Sequence, residues 1–445
     1  MDEIIEIING TPIDIKRLHA IFAGMNPVDI AGLFEDMDKD SIGQVFRVLP
    51  KAIAAEVFAY IEPDEQQLIV ENLTDKEISE IINKLFMDDT VDFIEEMPAN
   101  VVKRVLQNVG VEKRKLINQI LRYPEDSAGS VMTTEYINLG EDMTVAEAFD
   151  FIRKTGVNKE TIYTSYVITP DRKLIGSLSA KTLMLAQPGE RVSDIMEKNV
   201  IHTHTTDDQE MVAGLFKKYD LLSMPVVDND DRLVGIVTVD DVLEIIEEES
   251  TEDIEIMGAL QPSEEPYMKT GIIQLAKNRM LWLLVLMLSA TVTGAVLSGF
   301  EDALAVLPIL VIFIPMLMDT GGNAGSQSST LIIRGMALGE IESKNLLEVL
   351  WKEVRIGFLC GIVLGFINFI RVYLMNGRNA VLAFAVTMSL FCTIIIAKMV
   401  GCMLPIVAKK IKVDPAIMAA PLITTIVDAA SLLIYFSIAK LIFKI

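Results

Sequence analysis

Pro315–Arg334 reads PMLMDTGGNAGSQSSTLIIR, and this stretch decides the fold class. It lies among apolar runs long enough to cross a hydrocarbon core, which takes about 20 helical residues. Yet it holds three glycines, hydroxyls, amides and Asp319. Such groups find no water partners in lipid, so they belong in a membrane only where protein or water covers them. Two readings stand side by side. One is close helix packing, in which small residues let spans approach and Ser and Asn bond across them. The other is a polar pathway, with room for a locally opened helix that supplies carbonyls.

Working outward, five stretches are expected to span the membrane, near 279–300, 303–334, 353–375, 379–408 and 415–442. Lys and Arg favour the cytosolic side. Arg334, Lys344, Lys352 and Arg355 lie between the second and third stretches, and Lys409, Lys410 and Lys412 between the fourth and fifth. Glu301 and Asp302 follow the first, with Arg371 and Arg378 around the third connection. This pattern places the long N-terminal part in the cytosol and the short C-terminus outside.

The fifth stretch, Asp414–Phe436, reads DPAIMAAPLITTIVDAASLLIYF. Asp414 and Pro415 make a helix start, with a capping carboxylate and a first-turn proline. Asp428 lies 14 residues further on, about 20 Å along a helix. A carboxylate at that depth costs several kcal/mol unless it is neutralised, paired or hydrated. No Lys or Arg of the same helix is in reach, so either a cation partners it or it is protonated. Thr424 and Thr425, one turn toward the cytosol, could line the same path.

Residues 279–445 carry 13 Lys+Arg against 9 Asp+Glu, a balance of +4, whereas the first 278 residues carry 26 against 53, a balance of −27. So acidic a part is unsuited to nucleic acid, which requires clustered Lys and Arg; it repels itself and attracts cations. Cys360, Cys392 and Cys402 all fall in apolar stretches and form no zinc or disulfide pattern, consistent with a reducing cytosol. The start, MDEIIEIING, lacks the features of a signal peptide.

Residues 30–121 repeat with a period of 12. One apolar column is Met37, Leu49, Ile61, Leu73, Leu85, Met97, Val109 and Leu121. A second, four residues earlier, is Leu33, Val45, Val57, Ile69, Ile81, Phe93, Val105 and Ile117. Twelve residues suit a short helix plus a turn, so an α-solenoid is expected over 1–125. Asp88, Asp89 and Asp92 form a carboxylate group within it, the first and last at i, i+4 spacing.

A longer duplication follows. VMTTEYINLGEDMTVAEAFDFIRK is answered by IMEKNVIHTHTTDDQEMVAGLFKK, and YVITPDRKLIGSLSAKTL by PVVDNDDRLVGIVTVDDV. The two α/β copies, 126–190 and 191–246, resemble a CBS domain pair. Such pairs often bind adenosine nucleotides through an Asp that the second copy retains as Asp241; the first has Thr182 there. An acidic connecting helix is expected over 247–278, ahead of the membrane domain, 279–445.

In the order solenoid, CBS pair, acidic connecting helix and five spans, the chain resembles the MgtE family of magnesium channels, most sharply in GGNAGSQSSTLIIR and in the fifth stretch. The resemblance implies a homodimer in the cell membrane with a pore between subunits, lined by the second and fifth spans. By that reading Gly321, Gly322, Asn323 and Gly325 join Thr424 and Thr425 along the pore, and Asp428 holds hydrated Mg²⁺. It also implies a cytosolic Mg²⁺ sensor made of Asp88, Asp92, Glu210, Asp220, Asp241, Glu244, Glu249, Glu252, Asp253 and Asp414.

Mg²⁺ demands octahedral oxygen and sheds water reluctantly, so two Asp428 carboxylates across a dimer axis suit the hydrated ion. With cytosolic Mg²⁺ low, like charges splay the acidic parts; with it high, Mg²⁺ bridges draw them together and close the pore. Rival readings are a carrier of Mn²⁺ or Co²⁺, and a nucleotide-regulated, proton-coupled carrier in which Asp428 titrates. An enzyme is disfavoured: there is no P-loop, HExxH or nucleophile–base pairing, and His19, His202 and His204 all lie in the soluble part.

Overall fold

The 12-residue period reappears as a spacing of helix starts. Helices α1 (Ile15–Phe22), α2 (Pro27–Ala31), α3 (Lys39–Phe46), α4 (Ala54–Ala59), α5 (Pro63–Asn72), α6 (Asp75–Ile82), α7 (Met87–Glu96), α8 (Ala99–Asn108) and α9 (Val111–Ile120) follow one another through tight turns. Pro27 and Pro63 stand in first turns, and Thr74 and Glu77 form a reciprocal capping box on α6. The column from Leu33 to Ile117 is buried throughout, as is the other from Leu49 to Val109; Met37 and Leu121 pack at its ends. Each of these helices packs on the next but one, α2 on α4 and so on to α7 on α9, which is the solenoid the period implies. This computed structural model describes residues 15–35, 37–263, 267–418 and 420–444. MDEIIEIING, on which the signal-peptide reading rests, lies outside them.

The CBS copies each fold as a three-stranded sheet. β1 (Ile137–Gly140) pairs parallel with β2 (Thr164–Ile168), and β2 antiparallel with β3 (Leu174–Ser179). β4 (Thr203–His204), β5 (Ser223–Val227) and β6 (Leu233–Thr238) repeat the pattern, down to a bulge at the same point. Helices α10 (Val145–Thr155), α11 (Ala180–Leu185), α12 (Val192–Ile195) and α13 (Gln209–Tyr219) complete the pair. The copies trade their leading segments. Thr133, ahead of β1 in the first copy, exchanges two backbone hydrogen bonds with Ile236 of β6, and Glu197, ahead of β4 in the second, does so with Ser177 of β3. A boundary drawn at 190/191 therefore divides the sequence duplication but not two independent sheets.

The acidic helix, α14 (Val239–Met257), grows directly out of β6. It starts earlier than the expected 247 and stops well before 278. Ala259, in the left-handed region at φ 55°, ends it, with the Leu260 N–H donating back to the Glu255 carbonyl. The protein divides after Ile246 into two units, the second beginning within α14.

In the second unit five helices are long and apolar enough to cross a membrane. They are α15 (Ile272–Ser298), α17 (Ile314–Ala337), α18 (Leu346–Met375), α19 (Ala380–Lys410) and α20 (Ala420–Phe443), with short α16 (Glu301–Val306) between the first two. The first and third begin seven residues before their expected starts, because Lys277 in one and Glu348 and Lys352 in the other extend the helix beyond the apolar core. The second is interrupted at Leu307–Pro308, where a 3₁₀ turn over Pro308–Phe313 precedes α17. α17, α19 and α20 pack mutually, α18 lies on α19, and α15 on α20.

Candidate ion pathway and cytosolic acidic cluster

α17 is one continuous helix, so the locally opened backbone allowed for above is absent. Its two faces differ in kind. At 100° per residue, Asp319, Asn323, Ser326, Gln327, Thr330 and Arg334 fall within about 60° of one direction. All are exposed except Ser326, which is half-buried. Asn323, Ser326, Gln327, Thr330 and Leu331 line an open groove of about 660 Å³. The opposite face holds the glycines. A methyl at Gly321 would lie 2.8 Å from Thr393 and 2.9 Å from Val427, at Gly322 3.0 Å from Thr424, and at Gly325 2.7 Å from Ile423. Gly401 of α19 meets the Gly325 backbone so closely that no Cβ fits. The close-packing reading thus describes the environment of Gly321, Gly322 and Gly325, whose surroundings are α19 and α20. Asn323 belongs to the polar stripe.

Asp428 is half-buried on α20, and Asp319 of α17 is the charged group that acts on it. Sequence reasoning noted Asp319 without assigning it a role, since nothing local relates it to a residue 109 positions away. The hydroxyls of Thr424 and Thr425 both donate to the Pro421 carbonyl, at 2.9 and 3.1 Å. Asp414 caps the 3₁₀ turn Pro415–Met418 by accepting the Ala416 N–H at 2.8 Å.

The soluble unit brings a second set of carboxylates together. Asp88 opens α7, is 6% exposed, and accepts the Asp89 N–H at 2.9 Å. Burial, then the charge of Asp241, raises its carboxyl well above the usual range. Asp241, at the start of α14, accepts the Thr238 hydroxyl at 2.6 Å; burial nevertheless pushes it up to about 6. Asp92 is raised well above its usual value by desolvation, then by the charges of Asp89, Asp241, Glu95 and Glu244. Glu160 was missed by sequence reasoning. It sits in the loop after α10, its buried Oε2 has no hydrogen-bond partner, and burial with the charges of Asp241, Asp89 and Asp240 pushes it up to about 8. Lys113 stands near Asp88, Asp89 and Glu135 but donates to the Ile82 and Leu85 carbonyls, both at 2.6 Å.

Asp88, Asp92, Asp241 and Glu244 are therefore neighbours, and Glu160 joins them. Glu210 and Asp220 are exposed at opposite ends of α13, about 15 Å apart along its axis. Glu249, Glu252 and Asp253 share the far half of α14 at i, i+3 and i+4. Thr182 occupies in the first CBS copy the place of Asp241, 2.8 Å from Ser179 as Asp241 is bonded to Thr238. Among the described residues, no three His, Cys, Asp or Glu side chains converge closely enough to hold a metal ion.

Five apolar helices, one of them carrying an exposed polar stripe, and a large acidic cytosolic part fit a multi-pass membrane protein of the cation-transporter class. Three family descriptions cover its parts: "Divalent cation transporter" matches residues 314–438, "MgtE intracellular N domain" 25–126, and "CBS domain" 128–189 and 192–248. The magnesium transporter MgtE of Thermus thermophilus is 38% identical, over 97% of this chain and 96% of its own. That of Bacillus subtilis is 34% identical, over 96% and 94%. A crystal structure described as the cytosolic domain of the Mg²⁺ channel MgtE in complex with ATP matches 52% of this chain and 95% of its own, at 37% identity and a TM-score of 0.50. The chain belongs to the MgtE family.

Proposed function

We propose that this protein carries Mg²⁺ across the cell membrane, down its electrochemical gradient, along the polar face of α17 and past Asp428. The observation that carries the reading is that Asp428, inside a span, feels the charge of Asp319 from another helix and of no basic group among the described residues. A hard divalent cation, held through its water shell, is the partner their chemistry suits. Two carboxylates per chain fall short of a closed metal site, and a second copy of the chain facing the first would supply two more. The exposed polar stripe, unsuited to lipid, supports the same homodimer with its pathway between subunits.

Regulation follows from the soluble cluster. Mg²⁺ bound among Asp88, Asp92, Asp241 and Glu244, with Glu160 beside them, would offset their repulsion and favour the compact, closed form. The ion acts only through tighter binding to that form. Glu210, Asp220, Glu249, Glu252, Asp253 and Asp414 enter this scheme as ligands completed by other elements or by the second subunit. An adenosine nucleotide at the CBS pair would use the second copy, with Thr238 and Asp241, in preference to the first, with Thr182.

The test is Mg²⁺ uptake into liposomes by purified wild type and Asp428→Asn. Uptake by wild type that vanishes in the variant supports the pathway. Equal uptake by both removes Asp428 from it. Uptake of Mn²⁺ or Co²⁺ in place of Mg²⁺ would favour the carrier of another divalent metal.

A further inference from the structure

Behind the polar stripe lies a second, fully internal set of charges. Ser328 of α17 is 1% exposed, and Glu353 of α18 and Lys398 of α19 are 6% exposed each. The Ser328 hydroxyl donates to Glu353 Oε2 at 2.6 Å and accepts from Lys398 Nζ at 3.2 Å, and the two charges lie 3.8 Å apart. Gly357 lies beside the pair, where an added methyl would come 3.3 Å from the Ile395 Cα and into ordinary contact with the lysine stem. Ser328 points about 140° away from Asn323 around α17, so the ammonium and the polar stripe lie on opposite sides of one helix.

An ammonium at that place works against the proposed function. A helix is about 10 Å across, and a unit charge at that distance in a medium of effective dielectric near 20 disfavours a divalent cation by roughly a hundredfold or more. The carboxylate 3.8 Å from Lys398 cancels most of that field. We infer that Glu353 is a positioning residue for transport that masks the charge of Lys398 from the cation route, with Ser328 fixing the pair to the helix that forms the route. The inference rests on the reading of the α17 polar face as that route.

A merely structural pair predicts the same sign for both single neutralisations, since breaking a buried ion pair from either side leaves one charge uncompensated. Masking predicts opposite signs. In liposomes, Glu353→Gln should lower Mg²⁺ uptake by roughly a hundredfold, Lys398→Gln should leave it at or above wild type, and the double variant should recover most of the wild-type rate. Unchanged uptake in Glu353→Gln, or equal losses in both single variants without recovery in the double, overturns the inference. Should Glu353→Gln fail to fold, Lys398→Gln decides alone: uptake at or above wild type supports masking and a tenfold loss refutes it. Asp428→Asn measured in parallel separates the two claims. If it transports normally, the pathway reading fails; if it is dead while Glu353→Gln is normal, only the masking fails.

Discussion

Asp88 of the solenoid and Asp241 of the second CBS copy are electrostatic neighbours, and the charge of Asp241 is second only to burial in raising the Asp88 carboxyl. Four further carboxylates around it, Asp89, Asp92, Asp241 and Glu160, are raised as well, the last two to about 6 and about 8. A raised acid stabilises the packed arrangement while protonated. That contribution is complete below the ordinary carboxylate range and is lost as pH climbs through about 6 and then about 8.

Protons and Mg²⁺ should therefore substitute for one another. With chelator present, trypsin cleavage of the full-length protein after Arg122, between solenoid and CBS pair, should be slow at pH 5 and several-fold faster at pH 8 when each rate is divided by that of an unfolded peptide substrate at the same pH. Added Mg²⁺ should restore protection strongly at pH 8 and hardly at pH 5. An equal effect of Mg²⁺ at both pH values would contradict the cluster as its site. Asp88→Asn should shrink the pH 8 effect by more than half.

Phe58 is fully buried, with ring centroids 6.0 Å from Phe46 and 5.1 Å from Phe93. Phe58→Ala should destabilise the solenoid by about 3–5 kcal/mol through lost transfer energy and the cavity left behind. Denaturant unfolding should show the loss in the soluble part while the membrane helices keep their midpoint, because each solenoid helix leans only on its neighbours.

The α17–α19 crossing is set by backbone against backbone at Gly325 and Gly401. Gly401→Val should lower the thermal midpoint in detergent and abolish uptake, since overpacking of this kind costs at least about 1–3 kcal/mol. Gly294 of α15 has nothing within 4 Å of an added methyl. Gly294→Ala should be tolerated, and comparable losses in both variants would assign the effect to helix composition rather than to the crossing.

These contrasts mark what the sequence could convey. The solenoid was legible because the 12-residue period repeats one local solution, so Val45, Val57 and Ile69 declare their burial by position alone. The CBS copies were legible as a duplication, but the exchange of Thr133 and Glu197 between their sheets was not, because strand pairing at long range leaves no mark on local pattern. In the membrane, composition identified GGNAG as exceptional without dividing it into faces. Only the helical angle separates Asn323 from Gly321, Gly322 and Gly325. Glu353 and Lys398 looked like ordinary charges near span ends or within a span, and Ser328 like one polar residue among many. Nothing in either string relates residues 45 positions apart on different helices. Glu160 likewise sits in an unremarkable loop, and only folding brings it to Asp241.

Asp319 extends the same reasoning to transport. It is exposed on the polar stripe of α17 and is the charged neighbour of Asp428, so it should contribute to holding a hydrated divalent cation. Asp319→Asn keeps the shape and hydrogen-bonding capacity but removes one charge. At the dielectric of water, about 80, and a separation of about 6 Å through the water shell, that charge is worth roughly tenfold in the half-saturating Mg²⁺ concentration. Uptake in liposomes should therefore require about ten times more Mg²⁺ for half the maximal rate, while the rate at saturation changes little. Asp428→Asn, deeper on α20, should lower both. Since the effect is electrostatic, raising ionic strength with a monovalent salt should narrow the gap between wild type and Asp319→Asn. An unchanged half-saturating concentration would place Asp319 outside the cation's reach and leave Asp428 as the carboxylate that this chain alone brings to the pathway.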